Sequence, residues 1–251
     1  MSLPPEPPGP PDQPDDGEAL PEEFFPPMSR DGKHSGIDKE LRDTRFIEPK
    51  NTNAPDYRWN YARGFIHARD FLLRLPRQPE KFGPQRIKLV HRLLFSRLYR
   101  DPGLWRATQV TFGGGRIGAD TIAIDPELEL LEKQSTQIAS GWRNDEKCDE
   151  GVLERLLFIA FFHARLVFAH PFRDGNGRTA RLIAQWQEWC CFGPSARNPV
   201  PRGVYISALE ALPTDFTPLV NFFCYRHPSR LRYLETCPSP FPVKVTIRPE
   251  R

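Results

Sequence analysis

Long apolar runs are missing from this sequence. No stretch approaches the roughly 18 residues that a transmembrane helix needs, so no membrane span and no membrane partner are expected. The amino-terminal MSLPPEPPGPPDQPDDGEAL has no basic n-region and no apolar h-region. That argues against a Sec signal peptide and for a cytoplasmic chain, with non-Sec delivery into another cell left open. Cysteine is scarce and unpatterned. Cys148, Cys190, Cys191, Cys224 and Cys237 are odd in number, show no CxxC spacing, and include two neighbours that cannot readily pair with each other. Reduced thiols are the expectation. No internal repeat is visible, and no basic run interleaved with aromatics occurs, which argues against a nucleic-acid or partner-binding module as the main role.

What is present is enough for a core. The 251 residues are 39% hydrophobic and 27% charged, as in a globular protein with one large domain. Charge is unevenly spread. Residues 1–28 hold seven acids and no base, so the net +3 of the whole chain leaves +10 for residues 29–251, a body suited to an anionic ligand. Ten of the 28 prolines also fall between Pro4 and Pro27. Such a composition cannot bury enough apolar surface to offset ordering entropy, so 1–28 reads as a disordered acidic leader, either a solubilising tail or a docking peptide.

Helical periodicity begins near Tyr57 and stops at Pro76, and a second helix reads from Pro84 to Tyr99 with Ile87, Val90, Leu94 and Leu98 on one face. In residues 107–124, Val110 and Phe112 on one side of a glycine-rich segment and Ile122 and Ile124 on the other predict a hairpin. Asp125-Pro126 reads as an N-cap and first helical position for a helix over 127–141. Residues 151–169 are apolar nearly all round, the mark of a central buried helix. A further helix reads over 178–191, shorter ones over 207–212 and 218–225, and Val243–Ile247 could add a strand.

Between the two apolar helices lies His170-Pro171-Phe172-Arg173-Asp174-Gly175-Asn176-Gly177-Arg178-Thr179-Ala180-Arg181, chemically the densest segment. Gly175, Asn176 and Gly177 tolerate the positive φ that turns successive amides toward one point, and a helix N-terminus adds its dipole, so a phosphate is the natural occupant. Arg178 and Arg181, in the first helical turn, oppose that dipole unless an anion sits there, and can grip successive phosphates. Asp174 offers a hard oxygen for Mg²⁺. His170 has the one near-neutral pKa nearby and could take a proton from a hydroxyl. Phe172 should point back into the core.

The order of these residues reproduces the HxFx(D/E)GNGRxxR signature at every specified position, and the chain resembles a Fic-domain protein over about residues 85–195. Phe162-His163-Ala164-Arg165-Leu166-Val167 also looks like the family's pre-motif helix. The resemblance implies an all-α helical bundle with a small β-hairpin flap. It divides the chain into the leader 1–28, an N-terminal helical segment 29–84, a Fic core 85–195, and a C-terminal extension and tail 196–251. It further implies transfer of AMP from ATP to a Ser, Thr or Tyr hydroxyl of a target protein. His170 would be the base, Asp174 the Mg²⁺ ligand, Gly175, Asn176 and Gly177 the anion hole, and Arg178 and Arg181 the holders of the outer phosphates.

Fic flaps pair with the target's backbone as an added strand, which points to Arg116, Ile117 and Gly118; an ordinary solvent loop is the alternative. Many relatives carry an inhibitory (S/T)xxxE(G/N) motif, whose nearest match here, Thr44 to Glu48, departs at Pro49. Glu48 is therefore the inhibitory candidate, a separate inhibitor protein the alternative. Relatives also transfer UMP, GMP or phosphocholine, remove AMP, or phosphorylate. The phosphorylating branch lacks the glycine pattern retained here.

Overall fold

The computed structural model describes residues 54–113, 115–142, 149–193, 200–212 and 214–227. The leader, Glu48 with its surrounding motif, and the candidate strand 243–247 lie outside them. Seven α-helices and one two-stranded hairpin make up the described fold: α1 (Ala54–Arg74), α2 (Pro84–Phe95), β1 (Thr111–Phe112), β2 (Arg116–Ile117), α3 (Ile124–Ser140), α4 (Asp149–Ala169), α5 (Asn176–Phe192), α6 (Arg202–Glu210) and α7 (Thr217–Arg226). None of these helices is long and apolar enough to cross a membrane. Cys190 is half-buried, and Cys191 and Cys224 are buried.

Helix α4 is the axis, because a helix apolar around its circumference can only be satisfied by neighbours on all sides. It packs against α3, α5 and α7 and buries Leu156, Phe158, Ile159, Phe161, Phe162, Ala164 and Leu166. Phe162 meets Phe82 edge to face at 6.2 Å, and Trp142 meets Phe158 in the same way at 5.3 Å. Each of the fully buried rings of Phe82, Phe158 and Phe162 stabilises the fold by about 1.5–3 kcal/mol. Helices α1 and α2 pair with each other and brace α5, while α6 and α7 close the opposite side. The ends of α4 and α5 that meet at the motif are thus held by the best-packed part of the molecule.

Four of the boundaries that differ from the sequence expectation do so for a local reason. Helix α2 ends at Phe95, not Tyr99; the chain turns through Ser96–Leu98, and the Tyr99 side chain leaves toward the motif. The hairpin is tighter than the apolar alternation suggested: Thr111 pairs with Ile117 and Phe112 with Arg116. Ile122, expected on the return strand, lies in a 3₁₀ turn capped by Asp120 and is 85% exposed, whereas Ile124 is buried and already opens α3. Ala123, not Asp125, therefore occupies the N-cap. The Asp125 carboxylate has tertiary partners instead, accepting from Trp105 Nε1 at 2.7 Å and pairing with Lys88 Nζ at 3.4 Å. Helix α5 likewise starts at Asn176 rather than Arg178, because Gly175 at φ 78° turns the chain two residues earlier.

Candidate active site

The turn between α4 and α5 is closed by its own polar groups. The Asn176 carboxamide accepts from the Phe172 amide at 2.9 Å and donates to the Phe172 carbonyl at 2.8 Å, so one side chain replaces a turn of backbone pairing. Phe172 points into the core as expected, 1% exposed and stacked on His91 at 3.7 Å. Gly175 sits in the left-handed region, and a Cβ there would lie 2.5 Å from the Phe95 ring. Only glycine serves both conformation and space. The amides of Asn176 and Gly177 open α5, where helical geometry offers them no acceptor; the Gly175 amide is already given to Asp174 Oδ1 at 2.6 Å.

On the α2 side, Asp174 is wrapped by residues not foreseen as part of the site. Tyr99 donates to Asp174 Oδ2 at 2.8 Å, and Arg178 donates to the Tyr99 hydroxyl at 2.6 Å and to Asp174 Oδ2 at 3.4 Å. The Arg178 guanidinium lies over the rings of Phe95 and Tyr61, at 4.7 and 5.4 Å from their centroids. The Gly103 amide donates to His91 Nδ1 at 2.8 Å, so Nε2 carries the ring proton and donates to the Asp174 carbonyl at 3.0 Å. Burial pushes the His91 pKa down to about 4, which keeps this tautomer neutral. The pattern 91, 95, 99 along one helical face was the available signal; it reads as core, and the tertiary fold turns it toward Asp174. A cleft lined by His91, Tyr99, Asp101, Leu104, Arg173 and Asp174 opens here.

Arg181 takes the other direction. It crosses over Gly177, Nη1 lying 3.3 Å from where a Cβ would sit, and its guanidinium rests above Tyr205 at 5.4 Å. There it faces a second cleft, lined among others by His163, Glu188, Tyr205 and Arg226. His163 Nδ1 donates to the Ala180 carbonyl at 3.3 Å, leaving Nε2 to accept from the Tyr205 hydroxyl at 2.9 Å. Burial, reinforced by Arg181, holds its pKa near 3. Burial also raises the Tyr205 phenol. The two motif arginines thus flank the start of α5 from opposite sides.

His170 adopts φ 43°, the one non-glycine among the described residues in the left-handed region. Its ring stacks on Phe112 of β1, centroids 4.1 Å apart and planes 12° from parallel. Nδ1 is sealed from solvent and has no hydrogen-bond partner. Burial lowers the His170 pKa to about 4, with the Val167 carbonyl opposing and the Arg106 charge adding to the shift. The flap residues divide. Arg116 turns back to cap the end of α6, donating to the carbonyls of Leu209 at 2.9 Å, Glu210 at 2.6 Å and Leu212 at 2.9 Å. Ile117 is 56% exposed, and Gly118 closes the hairpin through its amide to the Val110 carbonyl at 3.1 Å.

Residues 81–187, which contain the hairpin, His170, the turn and both motif arginines, match the Fic/DOC family. They are a Fic-family domain. The chain is 37% identical over 83 residues to "Protein adenylyltransferase Fic" of Nematostella vectensis, covering 33% of this chain and 17% of that protein. It is 32% identical over 94 residues to "Uridine 5'-monophosphate transferase" of Xanthomonas campestris pv. campestris, covering 36% of this chain and 16% of that protein. The chain thus spans about a sixth of the length of these curated relatives. In architecture it is similar to the BepC protein of Bartonella tribocorum, a VirB-translocated effector solved with bound AMPPNP. The TM-score is 0.53 at 23% identity, over 69% of this chain and 87% of that one. This likeness bears out the helical bundle with a hairpin ahead of the motif.

No group of three or more His, Cys, Asp or Glu side chains that could hold a metal occurs among the described residues. Asp174 alone suits a different kind of site. It is one half-exposed carboxylate on a cleft wall, as fits Mg²⁺, which keeps one or two protein carboxylates and takes its other ligands from phosphate and water.

Proposed function

We propose that this chain transfers AMP from ATP to a Ser, Thr or Tyr hydroxyl of a target protein, releasing pyrophosphate. One observation carries the reading: a neutral imidazole, His170, stands directly ahead of a helix whose opening amides have no acceptor within the helix. With Nδ1 sealed from solvent, Nε2 is the ring nitrogen whose lone pair serves as the base. A pKa of about 4 keeps that lone pair available at neutral pH. The hydroxyl becomes strongly acidic only as its oxygen bonds to the α-phosphorus, and the proton then passes to Nε2. In the same displacement the bond from the α-phosphorus to the pyrophosphate oxygen breaks. Such a reaction asks for in-line placement and charge neutralisation more than for covalent help.

The amides of Asn176 and Gly177 hold the inner phosphates, Gly175 supplying the left-handed turn that aims them. Arg181, over Gly177, and Arg178, beside Asp174, serve the outer phosphates. Asp174 holds Mg²⁺, which when bound neutralises phosphate charge. The exposed edge at Ile117 offers a strand for the target's backbone. Restraint falls to Glu48 or to a separate inhibitor protein. The likeness to a uridine monophosphate transferase supports a second reading in which UTP is the donor.

The test incubates wild type and His170→Ala with α-labelled ATP or UTP, Mg²⁺ and cell lysate. Label on a protein band with ATP, lost in the variant while AMPPNP binding survives, is the expected result. Labelling by UTP alone favours the second reading. Equal labelling by the variant overturns the role of His170.

A further inference from the structure

Arg106 stands in the irregular stretch ahead of β1, outside the signature, and nothing in its sequence surroundings marks it. It is nevertheless 4% exposed. Its guanidinium takes three carbonyls at once: Nε donates to His170 at 2.8 Å, Nη1 to Thr108 at 2.9 Å, and Nη2 to Ala119. Its own amide donates to the Pro171 carbonyl at 2.9 Å. Thr108 leads into β1 and Ala119 follows β2, so one side chain ties both stems of the hairpin to the loop that carries the imidazole. The carbonyl it grips at His170 belongs to the residue held at φ 43°, a strained conformation that persists only where its surroundings enforce it.

Gly118 tells the same story from the hairpin. A Cβ there would lie 2.8 Å from Arg106 Nη2 and 3.2 Å from the His170 Cβ. The glycine is required by close approach of these two side chains, whatever freedom it gives the tip.

We infer that Arg106 is a positioning residue, fixing the His170 imidazole and the hairpin in one relation, so that a target strand laid on the hairpin meets a correctly aimed base. This rests on the proposed transfer reaction, in which His170 is the base. A planar fork reaching three carbonyls is a task lysine cannot perform, so charge alone does not suffice. Misplacing a reacting group by about 1 Å costs on the order of 100-fold in rate.

The test uses the full chain with Arg106→Gln, Arg106→Lys and Gly118→Ala. Self-labelling with α-labelled ATP gives the rate at saturation and the half-saturating concentration, and imidazole NMR reports each histidine separately. Both Arg106 variants are expected to lose about 100-fold in saturated rate with AMPPNP affinity held within about threefold. The His170 resonances should move while those of His91 and His163 stay. Gly118→Ala should give the same pattern in weaker form, and it decides the matter if an Arg106 variant does not fold. A wild-type rate in Arg106→Lys, an unmoved His170 signal, or equal displacement of all three histidines would each overturn the inference. Wild-type protein that transfers no nucleotide refutes the functional reading, and the imidazole signals still decide the role of Arg106.

Discussion

Lowering the pH from about 7 to about 5 should remove a large part of this protein's stability through three histidines. His91, His163 and His170 are held at about 4, 3 and 4, and burial is the leading cause for each. In the unfolded chain the same groups titrate near 6.5, so between about pH 6.5 and about pH 4 the unfolded state binds protons that the folded state refuses. Stability therefore rises with pH across that window and is lost as acid is added. At pH 5 a histidine with pKa 6.5 is almost fully protonated and one at 4 is mostly neutral, a difference of about 1.5 pH units or about 2 kcal/mol each. The two deeply buried rings alone contribute about 4 kcal/mol, and His170 raises the total to roughly 6, against a typical domain stability of about 5–15 kcal/mol. Urea midpoints followed by tryptophan fluorescence at stepped pH measure the loss, and calorimetry in buffers of different ionisation enthalpy counts the protons taken up on unfolding, expected at two to three near pH 5. His163→Gln should flatten the slope by about a third. Stability unchanged within about 1 kcal/mol over this range would refute the assignment of three neutral buried imidazoles.

Gly175→Ala places a methyl against the Phe95 ring in a left-handed backbone. Strain and overpacking together should cost about 2–5 kcal/mol and lower the melting temperature by roughly 5–15 °C, with AMPPNP binding lost; thermal unfolding and calorimetry check both. Arg116→Ala removes the three carbonyl contacts at the end of α6. Amide exchange of residues 111–118 should quicken about tenfold as the hairpin is released, while α4 and α5 keep their protection; exchange measured by mass spectrometry reads the difference.

The central helix and the Gly-Asn-Gly turn were legible because both are written in contiguous residues. An apolar circumference has one solution in a bundle, and Gly-Asn-Gly ahead of a helix has few uses other than a turn or an anion site. Where two local signals competed, the reading went astray. Ile122 and Ile124 alternate as strand residues do, but Asp120 caps a 3₁₀ turn that takes in Ile122, and Ile124 is needed in the core. Asp125-Pro126 has the chemistry of a helix start, yet Trp105 and Lys88 claim its carboxylate from elsewhere in the chain.

The segment from His170 to Arg181, by its own order of residue types, determined that an imidazole, a carboxylate and a glycine-rich turn would stand together. Neither the direction of the two arginines nor the surroundings of the imidazole could be read there. Arg178 is drawn to the aromatic wall of α2 and Arg181 to Tyr205 because helices distant in sequence meet α5 on opposite sides. His170 is neutral, stacked and clamped because Phe112 and Arg106, about 60 residues earlier, are packed against it. Local order chooses which chemical groups are present. Desolvation and long-range hydrogen bonding, which exist only after the chain has folded, set their ionisation and aim.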